Sequence, residues 1–259
     1  MTEVSMSLTG HLKELRTRLL IILLSFFLAF FVGLFVSKPL ILFLQKDDLP
    51  KEVILHVFKV TDAFQIYIEM AFIIGLILVF PVILYQLWAF VKPGLHASEQ
   101  RITLRYIPIT FLLFLCGVVF SYVITFPFIL KFMFQFAAEL GVETTIGLAT
   151  YFQFLLQIVL SFGVLFELPM VIMLLTRLSL ITPNGMRRAR KYAYFCLLII
   201  AAFIAPPEIL SHLMITIPLI GLYEISIVVS GFTVRRMDKE MNMKKNALKS
   251  DVDFKAFFN

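Results

Sequence analysis

Charge is what this chain has least of. Only 15% of its 259 residues are Asp, Glu, Lys or Arg, while 60% are hydrophobic. Soluble domains carry roughly 25% charged residues, so an ordinary soluble domain is excluded and a polytopic membrane protein is expected. Cysteine is scarce too. Cys116 and Cys196 lie in apolar runs, which excludes a disulfide framework and reads as small buried hydrophobes rather than a redox or metal pair. The four histidines, His11, His56, His96 and His212, are scattered, and no HExxH or CxxC spacing exists. No metal centre is therefore expected. GxSxG, Walker and GxGxxG loops are missing as well, so no enzyme, no catalytic residues and no cofactor are expected. An internal repeat is also lacking: residues 1–128 and 129–259 differ in span length, proline position and charge. That counts against a secondary transporter, whose site commonly lies between repeats.

What is present is a series of long apolar runs. They predict one all-α transmembrane domain over residues 1–231, with spans near 19–37, 66–88, 106–130, 152–176, 190–205 and 208–230. Most approach the ~20 residues that a helix needs to cross about 30 Å of hydrocarbon. A flexible basic tail is expected over 232–259, able to touch anionic lipid. The first run has no small-residue cleavage site after it, so it reads as a retained span rather than a removed signal peptide.

The net charge of +6 is distributed along the chain in a topological pattern. Lys13, Arg16 and Arg18, then Lys92, Arg101 and Arg105, then Arg177 and the 187–191 cluster collect on one side with the tail. The other side has only Lys38, Lys46, Lys51, Lys59 and Lys131. The positive-inside rule places both termini in the cytoplasm, and nucleic acid is not an expected partner.

Punctuation marks the helix boundaries. Thr182-Pro183 reads as an N-cap with proline at the first helical position. Asp62 with Gln65 reads as a capping box, and Pro206-Pro207-Glu208 as a tight outer turn. The fifth apolar run, 192–205, would rise only about 21 Å; either the bilayer adapts or the basic segment before it is helical too. Pro81, Pro108, Pro127, Pro169 and Pro218 each remove a helical hydrogen bond, and kinks at several levels would give a curved, cupped bundle.

Glu167 is a carboxylate inside the fourth run. Placing one at mid-membrane costs about 2.5–3.5 kcal/mol on insertion scales. It is either a neutral acid gluing helices together or a functional group. Leu8, Leu12, Leu15 and Leu19 share one helical face ahead of the first span, which predicts an interfacial helix on the membrane. On it, Glu14 pairs with Arg18 at i, i+4 in the plainest reading. Glu99, in the loop after the second span, would likewise balance Arg101. Glu224 lies near the inner surface, within reach of a basic loop.

Four motifs resemble the TatC family: HLKELRTRL (11–19), PVILYQLWAFVKPGL (81–95), FGVLFELP (162–169) and APPEILSH (205–212). Their order and spacing agree over about residues 11–230, nearly the whole chain. The resemblance implies six kinked helices in a cup-shaped bundle in the cytoplasmic membrane, exporting folded proteins with the proton-motive force. It implies that Glu14 and Glu99 receive the paired arginines of a signal peptide, with Arg16, Phe90 and Arg101 beside them. It implies a structural outer-loop role for Pro39 and a polar contact between Glu167 and a single-span TatA- or TatB-type subunit, within an assembly of several copies. Ala205 stands where the family often has threonine. Physically, two inner-surface carboxylates could each take a guanidinium in a forked pair of hydrogen bonds, which lysine cannot match. The competing expectation is a proton-coupled small-solute transporter that uses Glu167 as its carrier group.

Overall fold

A computed structural model describes residues 8–47, 55–91, 106–142, 145–204 and 209–257. The described chain is helical almost throughout, as the apolar runs require: with no water in hydrocarbon, backbone groups must bond within their own segment. Helix α1 spans Leu8–Asp47 and α2 spans Asp62–Val91. The third span is α3 (Ile107–Phe120), a π-helical turn (Ser121–Thr125) and α4 (Phe126–Glu139). Then come α5 (Leu148–Leu165), α6 (Leu168–Arg177), α7 (Pro183–Ile204) and α8 (Ile209–Phe257). Two short strands, β1 (Leu55–His56) and β2 (Ile146–Gly147), pair in parallel, Leu55 opposite Ile146. The chain divides into two compact units, Met1–Val164 and Leu165–Asn259.

In the first unit, α1 and α2 run antiparallel in close contact. Gly33 lies so near Ala71 that a Cβ on it would stand 2.4 Å from the Ala71 carbonyl oxygen, and one on Gly75 would stand 3.0 Å from Phe30 Cα. Apolar side chains gain little by leaving lipid for a neighbouring helix, so close backbone approach through small residues supplies the attraction. The Tyr67 hydroxyl donates to the Leu34 carbonyl at 2.6 Å, and Phe26 meets Phe72 edge-on at 5.0 Å. At the far end Arg18 reaches Gln86. The best-buried helix is α5, whose Tyr151, Phe152, Leu155, Ile158 and Phe162 recur at helical spacing. Tyr151 meets Phe126 edge-on, and Gly163 leaves room for the Phe114 ring, which stacks on Phe80.

The π turn sits immediately before Pro127, where the missing N–H disturbs the i to i−4 ladder. Beyond α4, Gly141 adopts φ 72°, and Val142 N–H bonds back to the Ala137 carbonyl, closing the helix in the left-handed C-terminal manner.

The second unit opens after a break at Phe166-Glu167, before Pro169. The Thr176 and Ser230 hydroxyls share a 2.8 Å hydrogen bond between α6 and α8. Tyr223 donates to the Met186 carbonyl at 3.0 Å, and Glu224 receives Arg190 at 2.6 Å and Tyr194 at 2.5 Å from α7. The pairing expected of Glu224 therefore forms with a basic helix rather than a loop.

Five helical stretches among the described residues are long and apolar enough to cross a membrane: Leu12–Gln45, Asp62–Phe90, Ile107–Glu139, Leu148–Arg177 and His212–Lys239. The remaining helix, α7, has Arg187, Arg188, Arg190 and Lys191 in its first half, so the basic segment is helical and extends the short fifth run. Thr182 Oγ1 accepts the Gly185 N–H at 3.1 Å, the N-cap expected there.

Several expectations are corrected. The leucine-faced N-terminal segment is the first turns of α1, continuous with the span, not a separate interfacial helix. Asp62 does open α2, but its Oδ2 accepts the N–H groups of Phe58 and Lys59, tying the preceding turn instead of forming a box with Gln65. Cys116 and Cys196 are exposed on the helix surface rather than buried. The tail continues α8 to Phe257: it has neither Gly nor Pro after Gly231 and is rich in helix-favouring Lys, Met and Ala. The turn at Pro206-Pro207-Glu208 lies outside the described residues, as does Ala205.

Replacing Gly33 by leucine should lower the thermal stability of the solubilised protein by about 1–3 kcal/mol, the usual cost of overpacking, because the intruding group meets Ala71 backbone. Gly221→Ala, where nothing lies within 4 Å, should leave the unfolding temperature unchanged. Equal melting of the two variants would contradict the tight α1–α2 crossing.

Candidate functional site

The first three turns of α1 carry the polar residues that the sequence singles out. Arg18 is the residue that organises them. Its Nε and Nη2 both donate to Glu14 Oε1, at 3.1 and 2.5 Å, and its Nη1 donates to Gln86 Oε1 on α2 at 3.2 Å. The Glu14 and Arg18 side chains are only 20% and 22% accessible, and Gln86 is buried. A carboxylate in such a half-dry setting makes stronger charge-assisted hydrogen bonds than one in open water. The i, i+4 pairing of Glu14 with Arg18 is thus observed, and it is anchored to a second helix.

Phe90 lies one turn beyond Gln86 on α2, half-buried, so the same helix end carries both. Lys13 and Arg16 are exposed on the other face of α1. Glu99 and Arg101 fall outside the described residues. Of the sequence-predicted cluster, Glu14 is therefore tied through Arg18 to the helix that bears Phe90. Pro39 is an exposed residue inside α1, two positions after buried Ser37, whose hydroxyl bonds back to the Gly33 carbonyl. It occupies a helix, not a loop.

Glu167 stands immediately before α6 and starts it. Its carbonyl accepts the N–H groups of Met170 and Val171 at 3.0 and 2.9 Å, while Pro169 fits the first turn, where its missing N–H costs nothing. The side chain is 8% exposed, and neither carboxylate oxygen has a hydrogen-bond partner among the described residues. A buried acid without partners is costly, so this group does not serve as glue within the described chain.

Two polar groupings escaped the sequence reading. Gln86 was hidden inside an apolar motif; only the antiparallel register of α1 and α2 brings it to Arg18. Glu69 on α2 accepts amide N–H groups from Gln65 at 2.8 Å and Gln153 at 3.3 Å. It is a carboxylate inside the second apolar run, the same signal that picked out Glu167. Among the described residues, no group of three or more His, Cys, Asp and Glu could hold a metal ion.

A half-dry carboxylate at one helix-pair end and a buried acid at a broken helix, set among apolar spans, belong to a multi-pass membrane protein. The sequence profile of the family described as "Sec-independent protein translocase protein (TatC)" matches residues 10–218. The chain belongs to that family and is a component of the twin-arginine protein translocase. Among its relatives, the "Sec-independent protein translocase protein TatCy" of Bacillus subtilis is 51% identical over 90% of this chain and 92% of its own length. The TatC of Halalkalibacterium halodurans is 48% identical over 97% of this chain and 99% of that one. The crystal structure of the "Twin Arginine Translocase Receptor- TatC" superposes with a TM-score of 0.78 at 33% identity, covering 86% of this chain and 99% of the other. These relationships do not favour a proton-coupled solute transporter.

Proposed function

We propose that this chain is the signal-receiving subunit of its translocase, with both termini in the cytoplasm of a cell whose plasma membrane it spans. The carboxylates of Glu14 and Glu99 each take one guanidinium of a twin-arginine signal peptide on a folded precursor. Arg16, Phe90 and Arg101 border the same surface and steer or pack against the peptide. The observation that carries this reading is Glu14 itself: it already holds a guanidinium in a two-donor contact, on a helix end buttressed by α2. The peptide's apolar stretch then lies along the lipid-soluble helices. Glu167 meets a polar residue on a single-span TatA- or TatB-type helix, which would give its buried oxygens the partner that they lack in the described chain. Several copies assemble with these subunits, and the proton-motive force drives export. No step requires bond-making by this chain.

Crosslinking of a twin-arginine signal peptide to membranes carrying Glu14→Ala or Glu99→Ala tests the receiving role. Each hydrogen bond to a charged group contributes roughly 1.5–3 kcal/mol, so either variant should lose crosslinking about tenfold or more. Undiminished crosslinking in both would reject the assignment. For the partner contact, Glu167→Leu should abolish co-purification of the single-span subunit while leaving thermal stability equal or higher, since a buried unpartnered acid disappears. Retained co-purification would remove Glu167 from the interface.

A further inference from the structure

The pair that presents Glu14 also occupies it. Arg18 places two of its N–H donors on one carboxylate oxygen of Glu14 and a third on Gln86 of α2. We propose that Arg18 is an intramolecular competitor for the signal peptide: its guanidinium fills the place on Glu14 that an arriving arginine takes, and binding proceeds by exchange of one guanidinium for the other. The proposal rests on reading Glu14 as a receiver of signal-peptide arginine.

The chemistry of the exchange balances. The peptide's planar fork offers the same two-donor contact to Oε1 that Arg18 gives up, so the hydrogen bonds lost are replaced in kind. A lysine ammonium, a compact point charge without the fork, replaces them only in part. The displaced Arg18 is not abandoned in a half-dry site. Gln86, buried on α2, already accepts its Nη1 and holds the side chain against that helix after release. The competitor is on the same helix one turn away, so its effective concentration is high and the peptide must outbid it. The consequence is a receiving site whose affinity is deliberately low, which suits a cargo tag that must later be let go.

A purely structural i, i+4 pair makes the opposite prediction. If Arg18 only braced Glu14 against α2, its removal would loosen the site and weaken the peptide. If Arg18 competes, its removal tightens binding, and it does so only while Glu14 keeps its charge.

The test measures binding of a labelled twin-arginine signal peptide to the solubilised full-length assembly. Arg18→Gln should tighten binding about tenfold, and Arg18→Lys, which keeps the charge but loses the fork, should tighten it less. Thr17→Ala, whose hydroxyl bonds to the exposed Lys13 carbonyl, should change nothing. In the Glu14→Gln background, Arg18→Gln should have no further effect. Unchanged or weaker binding in Arg18→Gln overturns the proposal while leaving Glu14 as receiver. Undiminished peptide binding in Glu14→Gln alone overturns the receiving role itself, and the competitor falls with it. Should Arg18→Gln fail to assemble, Arg18→Lys decides: equal or weaker binding there overturns the proposal.

Discussion

The close crossing of α1 over α2 is the constraint on which the candidate site depends. Hydrocarbon gives two helices no hydrophobic reason to touch, so contact has to come from backbone approach and a few hydrogen bonds. Gly33 against Ala71 and Gly75 against Phe30 permit that approach, and the Tyr67 hydroxyl on the Leu34 carbonyl fixes its register. Because the helices are antiparallel, the same register sets Arg18 beside Gln86 several turns away. A slip of one turn, about 5.4 Å, would part Arg18 from Gln86 and untie the Glu14–Arg18 pair from α2.

Polar side chains within the helices show how strictly the lipid environment is obeyed. Ser37, Thr110, Thr176, Thr216, Ser226 and Thr233 each bond back to the carbonyl four residues earlier. Glu69 collects two glutamine amides, and Glu224 collects a tyrosine and an arginine. Against that background the carboxylate of Glu167 is an exception, buried and without a hydrogen-bond partner among the described residues.

Much of the fold is legible because membrane helices announce themselves by length and hydropathy. The boundaries of α2 and the cap at Thr182 follow from local chemistry, while the helical extension of the short fifth run is one of two readings that bilayer thickness allows. What is not legible depends on neighbours. The π turn before Pro127 is one of several ways for a ladder to absorb a proline, and nothing local selects it. Asp62 has the right residue type for a capping box, yet the N–H groups of Phe58 and Lys59 compete for it and win. The site divides in the same way. Glu14 and Arg18 are readable as an i, i+4 pair, but Gln86 enters only through tertiary register, and Glu99 and Arg101 lie outside the described residues.

The central claim is that one carboxylate on α1 and one guanidinium on the cargo tag interact directly. A double-mutant cycle measures that coupling. Glu14→Gln in the protein is combined with arginine→glutamine at each of the two signal-peptide positions, and binding is measured for all combinations. The account predicts a coupling of about 1.5–3 kcal/mol between Glu14 and one of the two arginines, with strict additivity for the other. Additivity at both positions would contradict it.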